Sequence, residues 1–135
     1  MFAAVLSVII LRSSLEVQRS KAKESVFSWV LENRDMLEEH ARSQRGGALS
    51  VPGCPEVVIH RRDGYTAYLC RGIGFGPDGV YCGLYFSPDD VPVNIEYGGP
   101  LEPDGTGYRW EQGYGNCWYY TERISERFFW YEYAS

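Results

Sequence analysis

The first 45 residues contain no glycine and no proline; all 15 glycines and all 7 prolines come after them. Those two residues disfavour a helix interior more than any others. The chain therefore divides near Gly46-Gly47 into a segment free to be helical and a segment that is not. From Leu15 to about Arg45, Ala22, Val26, Trp29, Val30, Asn33, Leu37 and Ala41 recur at three- and four-residue steps, the spacing of one helix face. Glu24, Glu32, Arg34, Asp35, Glu38 and Glu39 mostly lie off that stripe. Gly46-Gly47 supplies the stop. We expect an amphipathic helix over 14–47 and a β domain over 48–135, the two forming one folded unit. A length of 135 residues suits one domain with a real core and is too short for two.

After Glu56 the punctuation is that of strands and turns. "VVIHRR" and "YTAYLCRGIGF" flank Asp63-Gly64, a type I′ hairpin signal. "GPDG" (76–79), "SPDD" (87–90) and "EPDG" (102–105) are further turns, because proline presets φ and aspartate bonds its own backbone. "VYCGLYF", "TGYRWEQ", "NCWYYTER" and "RFFWYEY" complete the set. The expectation is an α+β fold, a long N-terminal helix packed on an antiparallel meander of about six strands. A short extra pairing is expected near Val93 to Tyr97.

Side chains alternate across a strand, so a register sorts residues by face. With Arg62 opposite Tyr65 and Phe75 opposite Val80, Val58, Ala67, Leu69, Ile73, Phe75, Val80, Cys82, Leu84 and Phe86 share an apolar face for the helix. Ile59, Tyr68, Cys70, Tyr81 and Tyr85 share the other, with Gly72, Gly74 and Gly83 between them. Rings on a glycine floor offer shallow depressions for a sugar or peptide; the competing use is as a core beneath loops. In this register Cys70 and Cys82 lie on opposite faces. With Arg123 opposite Phe128, Trp118, Tyr120, Phe129, Tyr131 and Tyr133 form core. Cys117, Tyr119, Thr121, Arg123, Trp130 and Glu132 then form a half-exposed face. Tyr108, Trp110, Tyr119 and Trp130 join Tyr68, Tyr81 and Tyr85 as candidate binding residues. The alternative for the rings is ordinary cross-strand pairing.

The chain opens "MFAAVLSVIILR", and Phe2 to Leu11 is an uncharged apolar run of ten residues. A spanning helix needs about 20. Neither a basic leading region nor a small-residue cleavage site marks it as a signal peptide. It can be a buried core helix, a short interfacial anchor, or the second half of a membrane anchor, residues 1–13, cut short at Met1. Arg12, Arg19, Lys21 and Lys23 follow with no turn signal, as at a membrane–water boundary, and favour the truncated anchor. Read alone, that positive cluster places the domain in the cytoplasm.

Cys54, Cys70, Cys82 and Cys117 allow three disulfide pairings, and no CxxC spacing suggests zinc. They are reduced thiols in a cytosolic protein or one or two disulfides in an exported one. A net charge of −5 with pI near 5.0 argues against nucleic acid. His40 sits late on the helix and His60 in the first strand. Nothing in the spacing pairs His60 with a thiol nucleophile. "GIGFG" (72–76) imitates a phosphate loop but runs into a turn and strand. Asp78, Asp89, Asp90, Glu96, Glu102 and Asp104 crowd the loops without the order of a calcium loop. Glu111, Glu122, Glu126 and Glu132 offer carboxylates for glycoside hydrolysis at unknown separation. No motif calls for a cofactor or metal.

"YCGLYFSPDDVPV", "DGTGYRWEQ" and "NCWYYTERISERFFWYEY" together resemble a set of small bacterial proteins of uncharacterised activity. These have one N-terminal membrane segment, a charged helix and a tyrosine-rich β domain. The likeness spans about residues 24–135. It implies that an anchor precedes the helix, and it transfers no functional residue. The leading expectation is a non-enzymatic, membrane-anchored module with an extracytoplasmic β domain that meets a protein or a glycan. The alternatives are a pilin-like subunit, an acidic inhibitor or immunity-type protein, and a glycosidase-type enzyme.

Overall fold

The protein's structure, a computed structural model, describes residues 2–43, 47–71, 79–113 and 116–134, with side chains from Val17 onward. Helix α1 runs over Phe2–Glu32 and α2 over Arg34–Arg42. The apolar opening and the amphipathic segment therefore belong to one helix. At the break, the Asn33 N–H still bonds Trp29 O (3.0 Å) and the Leu37 N–H bonds Asn33 O (2.9 Å). The Asn33 side chain also donates to Trp29 O at 2.9 Å. The expected stripe is the buried one: Ala22, Val26, Val30, Leu37 and Ala41 are all in the core. Among the described residues no helix is long and apolar enough to cross a membrane.

The strands are β1 (Glu56–Arg62), β2 (Tyr65–Arg71), β3 (Val80–Phe86), β4 (Glu102–Asp104), β5 (Gly107–Glu111), β6 (Trp118–Ser125) and β7 (Phe128–Ala134). They form one antiparallel sheet of seven strands in the order β1-β2-β3-β7-β6-β5-β4. The α+β class is as expected; the count is seven, not about six. The extra strand is Glu102–Asp104, and Val93 to Tyr97 is loop and turn. The sheet is also not a single meander. After β3 the chain departs for the far edge, so residues 87–101 must cross β7, β6 and β5. One face already carries the helix, and the crossing segment covers the other.

Two cores result. Beneath the helices lie Tyr68, Cys70, Cys82, Leu84, Phe86, Phe128 and Trp130. Beneath the crossing segment lie Ala67, Leu69, Tyr85, Tyr119, Phe129, Tyr131 and Tyr133, with Val93, Ile95, Tyr97 and Leu101 packed on them. The β1–β2 register is the expected one, Arg62 opposite Tyr65, around an Asp63-Gly64 turn with φ of 51° and 86°. The next register is not. Cys70 faces Cys82 and Tyr68 faces Leu84, so Tyr68 joins the helix side while Ala67 and Leu69 join Tyr85. β2 ends at Arg71 and β3 begins at Val80, a connection too long to set the register that a tight turn would. The stretch holding Gly72, Ile73, Gly74, Phe75 and Asp78 lies outside the described residues.

The last hairpin differs for a different reason. Ser125 faces Phe128 and a β-bulge then sets Arg123 opposite Phe129. A single extra residue moves every side chain of one strand to the other face. Tyr119 and Thr121 therefore accompany Phe129, Tyr131 and Tyr133, and Trp118 and Tyr120 accompany Trp130 and Glu132.

Candidate interaction surface

The proposed binding residues do not form one surface. Tyr68, Tyr85, Tyr119 and Trp130 are each 0% exposed, so none presents a ring to solvent. Tyr68 and Trp130 lie under the helix. Tyr68 OH sits 2.8 Å from His40 Nδ1, and His40 Nε2 is 2.9 Å from Gly47 O. A carbonyl only accepts, so Nε2 carries the proton and, in the neutral ring, Tyr68 donates to Nδ1. Tyr85 and Tyr119 lie under the crossing segment and hold it. Thr121 gives its proton to Trp130 O (2.8 Å), so Tyr85 donates to Thr121 Oγ1 (2.7 Å) and accepts the Val93 N–H (3.1 Å). Tyr119 donates to Val93 O at 2.9 Å. Burial pushes the Tyr85 hydroxyl up to about 12 and Tyr119 well above its ordinary value. Both stay protonated as this network requires.

The other three stand apart. Tyr81 is half-buried and stacks on Tyr133 at 5.2 Å. Trp110 stacks on Tyr97 at 4.8 Å and lies so close on Gly99 that a Cβ there would meet its ring at 2.1 Å. Tyr108, 36% exposed, points out from β5. Of the expected glycine floor, Gly72 and Gly74 lie outside the described residues, and the place at Gly83 is filled. At Gly83 a Cβ would strike Tyr68 O at 2.3 Å and the Tyr131 ring at 3.1 Å. The missing side chain makes room for a neighbouring ring and leaves no depression.

Of the cysteines, Cys54 and Cys70 form a disulfide, while Cys82 and Cys117 are free. Cys70 and Cys82 share a face after all and are still not bonded. Burial pushes the Cys82 thiol up to about 12, which leaves it protonated and unreactive at neutral pH. Among the described residues no group of His, Cys, Asp or Glu is placed to hold a metal.

Cleft, cation and ring coincide at the β1–β2 end of the sheet. Two clefts of about 570 and 420 Å³ share Arg61, Arg62 and Tyr65. The first runs past Arg42, Asp63, Phe86 and Pro88. The second has a floor of Ala67, Leu69, Tyr131 and Tyr133, with His60 and Arg62 on one side and Ile95 and Glu96 on the other. Arg61 is committed to the fold. It donates to Ala41 O (2.8 Å) and His40 O (3.2 Å), closing the carbonyl end of α2 where a cation suits the dipole. Arg42 is tied to Glu38 at 3.1 Å and lies over Phe86 at 5.0 Å. His60 and Arg62 are exposed, and no described residue bonds to either side chain. Burial and the Glu96 carboxylate push the Tyr133 hydroxyl up to about 12. Burial, with Tyr133 and Glu96 beside it, holds Tyr131 well above its ordinary value. The floor thus offers donors that stay protonated. The sequence held one signal for this place: "HRRDGY" sets three basic side chains against a hairpin tip. Comparison with protein-family models, curated proteins and solved structures finds no match.

Proposed function

We propose that the chain is a non-catalytic, membrane-anchored interaction module. Its β domain lies outside the cytoplasm, and its β1–β2 groove takes an extended acidic segment of a partner protein. The observation that carries this reading is the pair His60 and Arg62. They are exposed basic side chains without a described partner, beside a cleft, on a chain whose net charge is −5. The Arg62 charge selects carboxylates, and the open β1 strand beside it supplies backbone groups for an extended chain. A protein ligand is favoured over a glycan because Trp110 is stacked on Tyr97 and Trp118 lies against the Arg109 guanidinium at 5.2 Å. A sugar platform needs an open ring face.

Anchoring is supported by the apolar run Phe2–Leu11 in continuous helix and by the resemblance to small anchored bacterial proteins. Export is supported by the Cys54–Cys70 disulfide. The positive cluster argues less for a cytoplasmic domain than its charge suggests, since Lys23 bonds Glu122 at 3.2 Å and packs over Phe27 and Tyr120.

Two measurements test the reading. Titrated with a synthetic peptide of alternating Glu and Val, the full chain binds, more weakly as salt rises and not at all with Arg62→Glu. Equal binding of a Lys/Val peptide, or no binding, refutes the groove. On intact cells producing the protein, external protease cleaves the β domain, and Cys54 and Cys70 resist thiol labelling after unfolding. Protection, with all four cysteines labelled, refutes export.

A further inference from the structure

The two edges of the sheet are finished differently. β4 is three residues long with Pro103 at its centre, between Glu102 and Asp104. Proline has no N–H, and a short charged edge discourages pairing. β1 has seven residues, Glu56-Val57-Val58-Ile59-His60-Arg61-Arg62, and no proline. The positive φ at both Asp63 and Gly64 is the type I′ geometry, in which the residues flanking the turn form a hydrogen-bonded pair. Arg62 and Tyr65 are that pair. By alternation His60, Val58 and Glu56 also bond to β2, and the backbone groups of Val57, Ile59 and Arg61 point outward. No described residue bonds to them.

What matches this edge is the edge itself. Laid antiparallel on a second copy about a dyad at Ile59, β1 sets Val57 opposite Arg61 and Ile59 opposite Ile59. These are the outward groups, in the positions that exchange both N–H···O bonds. The same register sets Glu56 opposite Arg62 on the groove side of the sheet, an opposite-charge pair at each end. Sliding the strands one way places His60 opposite His60, or Arg61 opposite Arg61. Sliding them the other way leaves Arg61 and Arg62 facing no strand. The register that pairs the whole strand is also the one that pairs its charges.

We propose that the chain forms a symmetric dimer by antiparallel pairing of its β1 edges about Ile59, joining two seven-stranded sheets into one. The inference rests on the β1 side being an interaction surface, but its occupant is β1 of a second copy, in which Glu56 is the carboxylate that meets Arg62. An isologous contact of this kind closes on itself and does not propagate.

The test is site-specific cross-linking of the full chain. Under mild oxidation Ile59→Cys yields a covalent dimer, because paired Cα atoms at a dyad fall within disulfide reach. His60→Cys, whose counterpart across the dyad is Val58, does not. In the Ile59→Cys background, Glu56→Arg turns both charge pairs repulsive and lowers the yield about tenfold. Adding Arg62→Glu restores it, which shows that the loss was electrostatic and not a failure to fold. No cross-link at position 59, or a yield indifferent to Glu56→Arg, overturns the proposal. If the cross-link fails while the Glu/Val peptide still binds through Arg62, self-pairing alone is wrong. If both fail, the interaction reading falls with it.

Discussion

Under the helices the sheet is lined by Leu84, Phe86, Phe128 and Trp130, with a single tyrosine, Tyr68, whose hydroxyl meets His40; under residues 87–101 it is lined by Tyr85, Tyr119, Tyr131 and Tyr133 around Phe129. The difference follows from what covers each face. A helix bonds its own backbone, so the surface beneath it needs mainly shape and apolar area, with polar contacts gathered at the open carbonyl end of α2. An irregular segment brings N–H and C=O groups with no partners of their own, and leaving them unpaired in a buried place is costly. Tyrosine answers both needs, with a ring for burial and a hydroxyl for the backbone. Val93 is met at its N–H by Tyr85 and at its C=O by Tyr119, and Tyr97 reaches Ala134 O at 2.6 Å. The aromatic richness of the C-terminal half is in large part the means of holding a loop over a sheet.

The two covers meet at one residue. The Arg127 side chain bonds Glu38 of α2 at 2.8 Å, and its backbone N–H bonds Asp90 of the crossing segment at 2.7 Å. Arg127 sits in the β6–β7 turn at φ 67°, where that turn can reach both sides of the sheet.

The comparison can be broken most severely on the helix side. Trp130→Ala empties the centre of that core and should cost about 3–5 kcal/mol in urea unfolding. Cys54→Ser comes next. It opens a link across 16 positions, worth roughly 3 kcal/mol, and it frees the chain just after Gly53, where an added Cβ would lie only 3.3 Å from the Ala22 backbone. Reductant should destabilise the native protein by the same amount and leave the variant unchanged. The sharper contrast is Tyr85→Phe. Removing one oxygen strands the Val93 N–H and should cost about 1–3 kcal/mol. Hydrogen exchange at Val93 should rise more than exchange anywhere on the helix side. A loss of only a few tenths would mean that the hydroxyls do not hold the segment.

Acid and alkali should act on different groups of this arrangement. Tyr85 and Tyr133 are raised from 10 to about 12, first by burial. Their contribution is complete below about pH 10 and is lost as pH rises through about 12, so alkaline unfolding should coincide with tyrosinate absorbance. Glu38 is lowered, first by the Arg127 hydrogen bond, and Asp90 is lowered, first by the Arg127 N–H. Their contribution is present above about pH 4 and is lost as pH falls through the depressed values. Acid should therefore loosen both covers together. Tyr108→Ala, on an exposed ring of β5, should change stability by less than about 0.5 kcal/mol.

How much of this was legible depends on the reach of each signal. The helix stripe from Ala22 to Ala41 was readable because its period is local, and the Asp63-Gly64 hairpin because two residues define it. Glu102–Asp104 was hidden because a turn signal masked a strand of only three residues. The site was less legible than the fold. Tyr119 and Trp130 were assigned to an open face by a register one residue out, and His60 and Arg62 stood in a motif that marks a turn, not a groove.

The sequence by itself determined the helix, the turns and, within each strand, which residues share a face. Composition and spacing along the chain carry those, since each is decided among near neighbours. Tertiary structure alone decided which face of one strand joins which face of the next. It also placed β7 beside β3, and so made residues 87–101 cross the sheet. With a side-chain period of two, a bulge at Arg123/Ser125 or a long connection after Arg71 inverts the assignment. Packing of whole strands against a helix or a crossing segment, and not any local propensity, chooses between the two outcomes.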